Sequence, residues 1–256
     1  IRSSLWTLGG YGMGQVLRFS NNIILARLLA PDIFGLMVLI NTFIMGLELF
    51  SDIGIGQTLI QNPNGEKPEF YNTAWTVQVI RGCGLWLVCV LVTVPLSSFY
   101  DEQRLIYLFP LAGFTVVTAG LKSPSIPILQ KRLMQSRLTI LELSVQLVSL
   151  ISMVVWALIS PGVLALIFGN LVGSTVRTVS SHFLLPDIKT KFILDKTVLK
   201  EISSFGRWIF FSSILLFISQ QGDRLFLGKA IPLELLGIYG IARALSNILR
   251  LVLIKI

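Results

Sequence analysis

The chain is a succession of apolar segments, each about as long as a bilayer is thick and each closed by a short polar break. A bilayer core takes about 20 apolar residues per helix. Seven full segments meet that requirement, at roughly 5–26, 33–56, 74–97, 103–121, 138–160, 162–185 and 204–228, and an eighth starts near 234. Only 13% of residues are charged, where a soluble globule carries roughly 25%. No alternating strand pattern recurs, which argues against a membrane β-barrel. The expected fold is an all-α, polytopic membrane protein. Pro31 suits a helix start, where its missing N–H costs little. Pro110, inside the fourth segment, is expected to kink that helix unless neighbours satisfy the freed carbonyl.

The chain also repeats itself. Residues 21–39, NNIILARLLAPDIFGLMVL, align without gaps on 223–241, DRLFLGKAIPLELLGIYGI, at an offset of 202 positions. Only Leu25/Leu227 and Gly35/Gly237 are identical, but the basic (Arg27/Lys229), acidic (Asp32/Glu234) and glycine positions keep their order. A long-period repeat in an apolar chain suggests two related halves. The expected division is a six-helix lobe over 1–186, then a basic linker and the first two helices of a second lobe over 187–256.

Lysine and arginine in short loops set orientation. The loop after the fourth segment has Lys122, Lys131, Arg132 and Arg137 with no acid, and the one after the sixth has Lys189, Lys191, Lys196 and Lys200. The loop after the third has Asp101, Glu102 and Arg104, and the turn at Ser160-Pro161-Gly162 has no charge. This bias puts the N-terminus and the basic loops in the cytoplasm. The net charge of +8 does not indicate nucleic acid, because the basic residues sit at segment ends and within segments rather than on a polar domain.

Charges inside spans are expensive and face protein or water. The first segment carries Gly10, Gly14 and Arg18 at steps of four, and the sixth repeats this with Gly169, Gly173 and Arg177. The glycines fit close helix packing. The arginines either pair internally with Glu48, Asp52 or Glu142, or line a water-filled cavity. Asn41, Glu48 and Asp52 are spaced to share one face of the second helix, as are Glu142, Gln146 and Ser149 on the fifth. Gln78 and Arg81 add polarity to the third, and Arg207, Ser213, Gln220 and Arg224 to the seventh. Such stripes fit a bundle around an aqueous lumen. Arg18, Arg81, Arg177 and Arg207 outnumber the nearby acids, and guanidinium groups bind phosphate in a fork geometry. An anionic, phosphate-bearing substrate is the expected partner. Gly54 and Gly56 beside Asp52 fit either a gate hinge or an ordinary helix end. Asp223 and Arg224 fit a local pair, and His182 a structural role.

No catalytic constellation stands out. The chain has no GxGxxG after a strand, no GxxxxGK[ST], no His/Cys metal cluster and no nucleophile elbow, so no cofactor is expected. Cys83 and Cys89 point in different directions on one helix and are expected to be free thiols. There is no initiator Met and no recognisable signal peptide, and the sequence stops inside the apolar run LRLVLIKI. A fragment cut at both ends is expected.

The runs LARLLAPDIFGLMVLINTF, FSDIGIGQTLIQ and FGRWIFFSSILLFISQQGDRLFLGKAIPLELLGIYGIARAL resemble the polysaccharide transporters of the MOP flippase superfamily, the Wzx-type exporters of lipid-linked oligosaccharides. The resemblance runs along essentially the whole chain and is strongest at 21–62 and 204–245. It implies two six-helix lobes forming a V around a cavity that opens alternately to either side. It implies a bacterial inner-membrane protein that flips undecaprenyl-pyrophosphate-linked sugars during polysaccharide or O-antigen synthesis. The implied partners are the lipid-linked oligosaccharide, membrane lipid and the remainder of the second lobe, with glycan polymerases as candidates. No family residue carries over with strict motif support, so Arg18, Arg81, Arg177 and Arg207 as substrate contacts rest on depth and charge. Glu48, Asp52 and Glu142 are candidate ion carriers. A multidrug antiporter of the same superfamily favours an acidic, aromatic cavity, against the basic bias here. A membrane glycan polymerase or ligase generally needs a large extramembrane loop, and the loops here are short.

Overall fold

The computed structural model describes the backbone of residues 2–255 and the side chains of 9–10, 12–202 and 212–246. Ten α-helices follow in order: α1 (Arg2–Leu28), α2 (Pro31–Phe50), α3 (Ile55–Gln61), α4 (Pro68–Tyr100), α5 (Leu105–Gly120), α6 (Ser125–Lys131), α7 (Gln135–Ile159), α8 (Val163–Phe183), α9 (Lys196–Ala230) and α10 (Leu233–Lys255). A 3-10 turn at Pro63–Glu66 completes the set, and no strand occurs among the described residues. The protein is an all-α polytopic membrane protein. On length and composition α2, α4, α7 and α8 each suffice to cross a bilayer, and the pair α5–α6, bent by 56°, makes a fifth candidate.

Large apolar side chains point outward on these helices, among them Leu91, Val94, Leu158 and Ile159. Facing acyl chains, that exposure is expected. With little hydrophobic drive between helices in lipid, packing falls to close contact at small residues. Gly82 and Gly120 bring α4 and α5 together: a Cβ on either would lie 3.2 Å from the other's Cα. The main apolar core, around Leu36, Ile40, Phe109 and Ile167, lies between α2, α4, α5, α7 and α8.

The helix ends sort into two groups. At one end Arg104 bonds both Glu102 (2.9 Å) and Asp32 (3.1 Å), Lys229 pairs with Asp101 at 3.1 Å, and the Tyr100 hydroxyl donates to the Leu225 carbonyl. The hydrogen bond from Arg104 holds the Glu102 carboxyl below the ordinary carboxylate range. At the other end α3, α6 and the starts of α4 and α9 build a second small core with Leu185 and Ile188. Its rim carries Arg132 bonded to Glu66 (2.7 Å) and Asp187 (3.4 Å), and Lys131 bonded to the Asn62 carbonyl. The basic loops therefore gather at one end and the acidic turns at the other.

This basic cap explains why α4, at 33 residues and so about 50 Å, exceeds a membrane thickness. Its first turns, Phe70 to Thr76, are buried beneath the linker. The linker runs extended from 189 to 195 and is tied down by side chains. Asn72 Oδ1 accepts from Lys191 N (2.7 Å), Thr76 Oγ1 from Ile193 N (3.1 Å) and Thr73 Oγ1 from Asp195 N (3.1 Å), while Trp75 and Phe192 meet with ring centroids 4.8 Å apart. Alternate amides of the strap thus find acceptors on a helix where a sheet partner would otherwise be needed. Asp195 then caps α9, accepting from Thr197 N and Val198 N. The sequence placed a linker over about 186–203, and its second half is already helical.

The repeat has a direct structural counterpart. A Cβ on Gly35 would stand 1.9 Å from the Leu233 carbonyl oxygen, and one on Gly237 would stand 1.9 Å from the Pro31 carbonyl oxygen. These two contacts exchange under the 202-residue offset, since Leu233 is the repeat mate of Pro31. A Cβ on Gly240 would lie 2.5 Å from Cγ2 of Val38, its own repeat mate. Helices α2 and α10 therefore cross backbone to backbone about a local pseudo-twofold axis, at the end that carries the acidic turns.

The strap makes a prediction. Asn72→Leu removes the acceptor of Lys191 N, and amide hydrogen exchange at 191–195 should rise about tenfold or more while exchange within α2 stays unchanged. Equal protection at 191–195 in both proteins would refute the strap's role.

Candidate functional site

Two helices bearing the same motif flank α7. Gly10 and Gly14 of α1 lie against Thr139 and Gln146, and Gln146 donates to the Gly14 carbonyl at 2.9 Å. Gly169 and Gly173 of α8 lie against Met153 and Ser149, and Ser149 donates to the Gly169 carbonyl at 2.9 Å. Each glycine pair is followed four residues later by an arginine, so Arg18 and Arg177 arrive on either side of Glu142. With α2 and α5 as the opposite wall they line a cavity of about 500 Å³. Glu48, Lys122, Gln146, Ser149 and Asn170 also face it. The polar stripe of the fifth segment, Glu142, Gln146 and Ser149, thus comes together on the cavity wall.

Three smaller recesses adjoin this chamber. One of about 340 Å³ shares Glu48 and Lys122 and reaches Asp52, Gln78 and Arg81. Another of about 350 Å³ shares Arg18, Glu142 and Gln146 and lies between α1, α6 and α7. The third, about 360 Å³, shares Asn170 and Ser174 and reaches Asn41. Neighbouring recesses with polar linings therefore share residues within an apolar bundle.

The four arginines do not stand in equivalent places. Arg18 lines the chamber and makes no ion pair among the described residues. Arg177 lines it too but is paired with Glu142, so the internal ion pair considered for the arginines is realised there, inside the lumen. Arg81 lines the adjoining recess and is tied to the end of α2. Its Nε donates to Ser51 Oγ (2.9 Å) and Nη2 to the Glu48 carbonyl (2.7 Å), and Nη1 lies 3.9 Å from Asp52. It closes the end of α2, where carbonyls lack helical partners. Arg207 lies outside the residues whose side chains are described.

Two sequence expectations need correction. Asp52 does not share the helical face of Asn41 and Glu48, because α2 ends at Phe50. Asp52 accepts from Gly54 N at 2.9 Å, and Gly54, at φ 68°, turns the chain into α3. That left-handed turn is open to glycine at little cost. Asp223 does not pair with Arg224. It bonds Tyr239 and Arg243 of α10, while Arg224 donates to Gln221 Oε1 at 2.7 Å. Helix α5 runs on through Pro110, and the 56° bend falls at 121–124.

That bend holds the residue sequence reasoning missed as a site candidate. Lys122 counted only as a loop charge, but the break after Gly120 turns it into both the chamber and the Arg81 recess. The carbonyls left open there are taken by neighbours: Ala119 by Gln78 (3.0 Å), Thr118 by Thr178 (2.6 Å) and Leu121 by His182 (3.1 Å). A lysine just past a helix C-terminus also meets the negative end of its dipole. The sequence signal was Gly120 followed by Ser123-Pro124, which ends the helix just before Lys122. His182 takes the structural role expected of it, and Cys83 and Cys89 are free.

These assignments separate two arginines experimentally. Arg81→Ala strips hydrogen bonds from a partly buried helix end and should lower unfolding stability by about 1–3 kcal/mol. Arg18→Ala should leave the thermal midpoint within about 1 °C, as for a surface change. Thermal unfolding of the purified protein checks both, and a larger loss for Arg18→Ala would reverse the assignment.

The comparisons with known proteins point the same way. The chain is 25% identical over 183 residues to a protein of Klebsiella pneumoniae named as an uncharacterized membrane protein in the cps region, covering 72% of this chain and 38% of that one. It is 21% identical over 202 residues to the teichuronic acid biosynthesis protein TuaB of Bacillus subtilis, covering 78% of this chain and 42% of TuaB. The chain thus spans about two fifths of the length of these relatives. No solved structure matches it. A family described as "Polysaccharide biosynthesis protein" matches residues 24–256, so the chain belongs to that family of membrane proteins.

Proposed function

We propose that the protein carrying this chain is a flippase that moves undecaprenyl-pyrophosphate-linked oligosaccharides across the bacterial inner membrane by alternating access. Residues 1–186 form its first lobe, and 187–256 form the linker and the opening of the second. The pyrophosphate enters the chamber, where Arg18, Lys122 and Arg177 supply cationic donors. The prenyl chain stays in lipid. The basic cap faces the cytoplasm, with the N-terminus on that side, and no covalent step is involved.

The observation that supports this reading is a chamber inside an apolar helical bundle on which Arg18, Lys122 and Arg177 converge from α1, the end of α5 and α8. On this reading substrate enters from the cytoplasmic side, and alternating access requires the α2–α10 glycine crossing to part. Glu142 is held by Arg177 and Asp52 caps a turn, which leaves Glu48 as the acid best placed to carry a coupling ion. The excess of cationic groups in the chamber weighs against an antiporter for organic cations.

Two experiments test the reading on the whole protein in vesicles, following flux of a lipid-linked oligosaccharide. Arg18→Ala and Arg177→Ala should each cut flux about tenfold or more, as expected for losing a charge-assisted contact. Unchanged flux in both would defeat the cavity assignment. For the gate, Val38→Cys combined with Gly240→Cys suits a disulfide, because the Val38 Cβ stands 3.8 Å from a Cβ built on Gly240, within the range of about 3.5–4.5 Å that disulfides favour. With Cys83 and Cys89 replaced, oxidation should stop transport and reduction restore it. Full flux in the oxidised protein would show that the crossing does not open.

A further inference from the structure

The basic cap carries large apolar side chains that the rest of the described chain leaves uncovered. Phe183, Leu133 and Phe192 are 77%, 76% and 70% exposed. They do not belong to the mid-span faces that meet acyl chains. Phe183 ends α8, Leu133 lies in the turn between α6 and α7, and Phe192 is in the strap. Side-chain contacts gather the three at one corner. Phe192 rests on Trp75, whose Nε1 donates to the Leu121 carbonyl at 3.4 Å, and Nε2 of His182, next to Phe183, lies 3.1 Å from the same carbonyl. Arg132 and Arg137, on either side of Leu133, reach Asp187 and the Leu184 carbonyl just past Phe183. The corner therefore sits beside the broken end of α5.

The same corner is cationic. Lys189 and Lys191, in the strap beside Phe192, are exposed and make no ion pair among the described residues. The acids nearest them in the chain are already engaged, Asp187 by Arg132 at 3.4 Å and Asp195 by the first amides of α9. Exposed rings and aliphatic groups beside unpaired lysines, at the level where membrane helices end, suit a surface lying in the headgroup region. There the rings enter the acyl boundary while the lysines extend to the phosphates. Each lysine near an anionic surface strengthens the contact by about fivefold. An acidic soluble partner would answer the lysines but not three bulky apolar groups placed at the edge of a bilayer.

We infer that this corner is a docking site for anionic phospholipid of the surrounding membrane, with Lys189 and Lys191 on the headgroup phosphate and Phe183, Leu133 and Phe192 in the acyl boundary. The inference needs only a membrane-spanning bundle and holds whatever the chamber carries. It also bears on the linker. The amides of 191, 193 and 195 hook the strap onto α4, and lipid bound to its exposed side chains presses it there. Anionic lipid thus tightens the join between α4 and α9.

The test titrates the purified whole protein, in detergent micelles, with phosphatidylglycerol or phosphatidylcholine. Affinity is read as the lipid concentration giving half-maximal protection of the amides at 191–195 from hydrogen exchange. Phosphatidylglycerol should act at a concentration about tenfold or more below that of phosphatidylcholine. Lys189→Gln combined with Lys191→Gln should abolish that preference and leave the phosphatidylcholine midpoint unchanged, while Lys189→Arg with Lys191→Arg should keep it. Both changes leave the amide of residue 191 in place, so the hooks onto α4 survive. Equal midpoints for the two lipids overturn the site, and so does a preference that the glutamine variant retains. Protection that rises with soluble polyglutamate but not with phosphatidylglycerol assigns the face to an acidic protein and overturns it as well.

Discussion

The arrangement depends on one contact, the crossing of α2 and α10 at Gly35 and Gly237. There is no side chain at its centre. Each glycine admits the carbonyl of the opposite helix to a distance that any Cβ would forbid. In lipid, where water does not drive helices together, such close approach is the main source of affinity between them. The contact is reciprocal, so the two segments meet as near-equivalents. It joins α2 to α10 at the end of the acidic turns, while the chamber lies farther along α2, between α1, α2, α5, α7 and α8.

Around α7 the same device serves a different purpose. Glycine pairs on α1 and α8 clamp α7 from both sides, and the arginine four residues on is thereby fixed at the lumen. The close packing is what allows a guanidinium to sit at mid-helix without facing lipid. One arginine is neutralised by Glu142 and the other is left open, so the chamber is cationic but not uniformly so. Lys122 reaches it by another route, from the broken end of α5, and the resulting set of donors comes from three separate helices.

Much of this was legible in the sequence. Apolar length located the four candidate spans and the bent fifth among the described residues, and the four-residue spacing of glycines and arginines marked the faces by which α1 and α8 approach a neighbour, though not that the neighbour is α7 for both. The 202-residue offset found Gly35 and Gly237, although nothing in one dimension showed that the two would touch each other. What stayed hidden depended on breaks. Asp52 sits where a hydropathy window sees a continuous segment and Lys122 just past the end of one, and in both places a helix ends and its open carbonyls recruit partners from elsewhere. For Arg81, charge and depth were visible, but the Ser51 hydroxyl and Glu48 carbonyl that it bonds were not. Asp223 was matched with its neighbour in sequence, while its side-chain partners, Tyr239 and Arg243, sit on the next helix.

The linker strap has a mechanical consequence. At the basic end three of its amides are hooked onto Asn72, Thr73 and Thr76 of α4. At the acidic end the last turns of α9 meet the far end of the same helix, where the Tyr100 hydroxyl donates to the Leu225 carbonyl and Lys229 pairs with Asp101. The stretch from Lys191 to Lys229 is therefore pinned to α4 at both of its ends, like a splint, and any shift of α9 along α4 has to break directional bonds at one end or the other.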